Sequence, residues 1–143
     1  MKKTLFFLSL LIVFVFSMVY NGFGKVDHVQ VSIEESTAFS KEEINEAVVV
    51  VKKKFKGFNG CTLTHIWYIE DKSMKITDDY MKYGKGSVNG VQEENVIVLL
   101  SSFKVGSSGG DGSLEPHSTY TDWNWIVVRD DHSYKWRVDD WGY

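Results

Sequence analysis

The sequence predicts an α+β domain: a curved antiparallel sheet of four to five strands wrapped on one main helix, in the order strand, helix, strand, short helix, three strands. Three observations predict it. Residues 40–57 carry apolar side chains at helical spacing between clear start and stop signals. The other apolar segments alternate with a period of two or are dense in β-branched and aromatic residues. The chain of 143 residues, 43% hydrophobic and 15% aromatic, suffices for one core and not for two. Strands grouped around one long helix read as α+β.

Taken in chain order, residues 1–24 read as a signal peptide. Lys2 and Lys3 precede an apolar run from Leu5 to Tyr20, shorter than the ~20 residues that span a bilayer comfortably. Gly22 and Gly24 stand at the minus-three and minus-one positions of a cleavage site after Gly24, leaving 25–143 as the domain. An uncleaved N-terminal anchor is the alternative, and membrane contact would then run only through that segment. Either way the expected location is secreted or at the extracytoplasmic cell envelope.

Val29, Val31 and Ile33 alternate with polar residues and predict a first strand. Ser40 then reads as an N-cap with Glu43 as its capping-box partner, Phe39 and Ile44 as the staple, and Gly57 as the stop. Ile44, Ala47, Val48, Val51 and Phe55 form one stripe, with acids early and Lys52–Lys54 late to match the helix dipole. Thr62–Ile69 predicts a strand, Thr77–Gly86 a short helix capped by Thr77, and Val96–Phe103 a central strand apolar on both faces. A Gly- and Ser-rich loop follows. The last two strands predict a hairpin turning at Asp131–Tyr134.

One helix covers one face of a sheet, so a second layer is required: the short helix, the long loop, a partner or a ligand. A strict period of two puts Trp123 and Trp125 on one face and places Trp136 opposite Trp141, which divides the tryptophans between layers. Aromatic residues are enriched at interfaces. The candidate ligand- or partner-binding residues are Trp125, Tyr120, Trp141, Trp67, Tyr68 and His65.

Composition excludes other classes. The formal charge is −3, and without Lys2 and Lys3 the domain keeps 14 basic residues against 19 acidic, or −5. Nucleic acid is therefore not an expected partner. Cys61 is the only cysteine, which rules out an intrachain disulfide and reads as a small core residue. His28, His65, His117 and His132 lack metal-site spacing. Asp130, Asp131, Asp139 and Asp140 do not form a calcium loop, and "GSSGGDGS" lacks the Gly-Lys-Ser/Thr ending of a phosphate loop. No catalytic residue, metal or cofactor is expected.

The segments "FSKEEINEAVVVVKKKFKGFNGCTLTHIWYIEDKS", "GVQEENVIVLLSSF", "SSGGDGSLEPHSTYTDWNWIVVRD" and "WRVDDWGY" resemble an uncharacterised family of small exported Firmicutes proteins, clostridia among them, grouped as a domain of unknown function. The resemblance implies origin and export and carries no activity. At fold level the element order is similar to cystatin-like and nuclear-transport-factor-like rolls, and the glutamine-valine-glycine loop of true cystatins is missing. The expectation is a non-enzymatic domain that binds a protein, a peptide, an envelope component or a second copy of itself. The alternatives are a roll-fold small-molecule pocket or enzyme using His65, Tyr68, Glu70 or Arg129, and an immunity-type inhibitor.

Overall fold

The computed structural model describes residues 22–143. Residues 1–21 of the expected signal lie outside the described residues, and its last three, Gly22–Gly24, lie within them. Strands β1 (Gln30–Ile33), β2 (Cys61–Tyr68), β3 (Val96–Val105), β4 (Thr119–Arg129) and β5 (Trp136–Gly142) form one sheet in sequence order. Helices α1 (Lys41–Phe55) and α2 (Glu70–Tyr83) are its main helices, and α3 (Gly86–Asn89) adds a single turn.

The fold is α+β, as expected, with two departures. First, the sheet is mixed: β1 runs parallel to β2, and the remaining pairs are antiparallel. The intervening helix makes the return a crossover rather than a hairpin, so the strand comes back in its original direction. Second, the sheet is neither closed nor strongly curled. It is not a roll around one helix, because a second full helix packs on its other face.

Helix α1 forms where expected because its signals are all local. Glu43 N–H donates to Ser40 Oγ at 3.2 Å and Ser40 N–H donates to the Glu43 carboxylate at 2.9 Å, completing the capping box. Its buried residues are Ile44, Ala47, Val48, Val51 and Phe55, and they lie on the inner face of the sheet with Leu63, Ile97, Leu99 and Trp125. Ser40→Ala should lower stability by about 1 kcal/mol, read as a shift in urea midpoint. An unchanged midpoint would show that the cap is idle.

Helix α2 starts well before the expected Thr77, and Thr77 is buried within it. No polar side chain stands at its own N-cap, Ile69. The Glu34 carboxylate supplies the missing acceptor from outside the helix, taking the Glu70 N–H at 3.0 Å. The Glu70 carboxylate in turn accepts from the N–H groups of Thr37 and Ala38 at 2.9 and 3.0 Å, tying the helix start to the β1–α1 loop. Desolvation opposes the charge on Glu70, but these donors and the Thr37 and Ser36 hydroxyls hold its carboxyl below the usual range. Tyr80, Ile76 and Met81 of α2 then cover Val96, Val98, Ile126 and Val128. The outer face is thus covered here by α2, which explains why β3, at the centre of the sheet, is buried on both faces.

Candidate functional site

Three β-bulges decide which residues face α1. Between Leu63↔Phe103 and His65↔Ser102, β2 advances two residues while β3 advances one. Between Ser101↔Trp123 and Phe103↔Tyr120, β4 advances three residues and β3 two. Between Ile126↔Asp140 and Val127↔Val138, β5 advances two residues and β4 one. Each extra residue reverses the facing of everything beyond it. Asp122, in the β4 bulge, takes a φ of 54°, a conformation Asp tolerates better than most residues.

As a result Trp123, Trp125, Trp136 and Trp141 all lie on the α1 side, which corrects the expected division between layers. Trp136 packs edge-on against Phe39. Trp125 and Trp141 stack with centroids 6.4 Å apart, and Phe58, just after α1, meets Trp123, Trp125 and Trp141. The β4 bulge brings Tyr120 onto the same face, stacked on Phe103 at 5.2 Å.

The end of this layer stands open as a groove of about 710 Å³. Val50, Lys53, Lys54 and Phe58 form one wall, Asp111 and Leu114 of the long loop close one end, and Trp123, Trp136, Val138 and Trp141 form the floor and far wall. The long loop therefore caps the α1 side and does not lid the outer face. It is held by Gly109 N–H to Gly106 O at 3.3 Å, Leu114 N–H to Gly109 O at 3.1 Å and Gly106 N–H to Gly60 O at 3.1 Å. Gly109 and Gly110, at φ 66° and 67°, take conformations that a side chain would strain.

Within the groove Lys54 Nζ sits 4.3 Å from the centroid of a Trp141 ring that is 41% exposed. Lys53 and Lys54 outnumber Asp111 among its lining residues, while the bordering Arg137 is paired with Asp139, which leaves a local excess of positive charge on an acidic domain. Trp123 Nε1 is, among the described residues, a buried donor without a hydrogen-bond acceptor. Such groups are rare in folded proteins.

The sequence-predicted site residues do not converge. Trp141 and Tyr120 belong to this aromatic layer, Trp141 as a groove wall and Tyr120 beside Trp123. Trp125 has no exposed surface; it is a core residue whose Nε1 donates to the buried Ser101 Oγ at 2.8 Å. Tyr68 is also buried, with its hydroxyl 3.2 Å from Ser36 Oγ, and burial pushes its ionisation upward. His65 and Trp67 lie on strand positions paired with Ser102 and Leu100, away from the groove, with His65 exposed. Of the four polar groups considered for a pocket, Tyr68 and Glu70 meet through Ser36, whereas Arg129 pairs with Glu43 at 2.6 Å and covers Trp136. The Lys53, Lys54 and Phe58 wall was missed, because nothing local distinguishes a groove wall from a solvated, dipole-matched helix end.

A family model described as a domain of unknown function, DUF4829, matches residues 29–142. The chain belongs to this family. Comparisons with curated proteins and with solved structures give no match.

Other clusters of the DUF4829 domain serve its architecture. Asp130 accepts the His132 and Ser133 N–H groups at 2.8 Å each and shapes the β4–β5 turn. Asp131 accepts from Asn95, and Asp140 from its neighbour Trp141 N–H. Asp139, in the β5 bulge, accepts from Tyr80 Oη at 2.7 Å and from Arg137, while Asn89 donates to the same Tyr80 oxygen at 2.7 Å. The four aspartates thus have separate partners, and among the described residues no group of three or more His, Cys, Asp or Glu side chains is placed to hold a metal ion. Cys61 is buried, and burial, with Asp111 adding to it, raises its thiol above the ordinary value, which disfavours the reactive thiolate.

Proposed function

We propose that this DUF4829 domain is a non-enzymatic binding domain of the Firmicutes cell envelope or secretome that takes a segment of a protein or peptide partner into the α1–β5 groove. The observation that carries the reading is the exposed Trp141, held under Lys54 at the mouth of a groove walled by three tryptophans and Phe58. Tryptophan is the residue most often found as a binding anchor. The Lys53 and Lys54 lining favours a segment that carries carboxylates beside its apolar anchor. Strand β5 is an edge of the sheet directly beside the groove, which suits an extended peptide adding as a further strand. Secretion or retention at the envelope rests on the reading of residues 1–24.

Selection of displayed random peptides against the domain should enrich sequences that combine Trp, Phe or Leu with Asp or Glu. Trp141→Ala should weaken the best of them about tenfold or more, and Lys54→Glu should weaken acidic peptides while sparing neutral ones. Enrichment of basic peptides, or affinity indifferent to Trp141→Ala, would overturn the reading.

A small-molecule ligand is the second reading, supported by a groove volume within the usual range for such sites, about 300–1,000 Å³. Native mass spectrometry of the protein from its own host separates the two. A co-purifying small mass that Trp141→Ala abolishes would favour the small ligand, and a partner chain or a homodimer lost in the same variant would favour the protein-binding reading. An immunity-type inhibitor is a special case in which that partner is a toxin.

A further inference from the structure

The two glycines that mark a cleavage site in the sequence have a different explanation in the fold. Gly24 is buried. Its N–H donates to Lys56 O at 3.0 Å, satisfying a carbonyl at the end of α1. A Cβ built on Gly24 would lie 2.1 Å from Phe55 O and 3.0 Å from Phe58 O, both fixed backbone atoms, so only glycine fits there. Two residues earlier, Gly22 O accepts the Gly60 N–H at 3.1 Å. The path then continues as part of the sheet: Lys25 N–H donates to Cys61 O at 2.9 Å and Lys25 O accepts from Leu63 N–H at 2.9 Å, a parallel bridge to β2. Residues 22–25 therefore lie along the end of α1 and the start of β2, next to Phe55 and Cys61 of the core.

Cleavage after Gly24 would remove this plug and leave Lys56 O and Gly60 N–H without these partners. We propose that Gly22–Gly24 stay on the mature chain, and that any processing hydrolyses a peptide bond amino-terminal to Gly22. Water adds across that bond, leaving a carboxylate on the released leader and an amine on the domain. Packing geometry alone requires glycine at position 24: its missing side chain is what lets the segment approach α1.

The test uses the full-length chain exported by its own host, with intact mass and N-terminal sequencing of the accumulated protein. A first residue at or before Gly22, including an uncleaved chain, supports the proposal, and a first residue at Phe23, Gly24, Lys25 or beyond overturns it. Full-length Gly24→Ala sharpens the test, because alanine is an accepted small residue at a cleavage site. If residue 24 is removed, wild type and variant yield the same mature protein with the same Tm. If it is retained, the variant melts lower by about 5 °C or more, while Gly22→Ala, with nothing within 4 Å of its added Cβ, melts with wild type.

Discussion

Trp125→Ala is expected to cost about 3–5 kcal/mol and leave much of the domain unfolded at growth temperature. The indole is fully buried and lies within 5.3 Å of Phe58 and 6.2 Å of Phe55, centroid to centroid. Its removal leaves a large cavity under α1 and takes from the buried Ser101 hydroxyl its 2.8 Å donor. Trp141→Ala, one strand away on a 41% exposed ring, should cost only about 1 kcal/mol. Urea unfolding of the two variants makes the comparison. Equal midpoints would mean that the two indoles do not divide into core and groove wall, and the proposed binding role of Trp141 would lose its basis.

Asp139→Asn should destabilise the domain by about 2 kcal/mol at neutral pH, the usual worth of hydrogen bonds to a charged group, and that difference should disappear in acid. Burial raises the tendency of Asp139 to hold a proton, but the Tyr80 hydroxyl and the Arg137 guanidinium outweigh it and hold its carboxyl below the ordinary value. The same contact, with burial as the larger cause, pushes the Tyr80 hydroxyl upward, keeping it a donor. A carboxyl whose folded value is depressed contributes stability above its unfolded value, about 3.9. That contribution is lost as pH falls from there through the lower folded value. Asn resembles the protonated carboxyl, so the wild-type and variant unfolding free energies should converge once pH is well below about 4. Glu43, held low mainly by the Ser40 N–H, and Glu70 lose stability in the same direction, but equally in both proteins. A gap that persists unchanged at low pH would mean that the charge on Asp139 does not hold α2 and α3 against β5.

Legibility followed the range of the interaction. Helix α1 was readable because Ser40, Glu43 and the apolar stripe lie within its own turns. The central position of β3 was readable because a strand apolar on both faces needs neighbours on both sides. The start of α2 was not, because its capping carboxylate belongs to Glu34, far back in the sequence. The groove was not, because its walls come from α1, the long loop and two strands.

The sequence by itself determined the α+β class, the capped main helix, the central strand and the terminal hairpin, each through a local pattern of polarity that burial then satisfies. Only the tertiary structure decided where the tryptophans point. A bulge adds one residue to one strand, and with a side-chain period of two that single slip inverts a face. Such a slip leaves little trace in a pattern read one strand at a time, since it arises from the fit of two strands against each other. Through Asp139 it brings Trp141 beside Trp125 and under Lys54, and through Asp122 it brings Tyr120 beside Trp123, assembling one aromatic layer from residues that strict alternation separates.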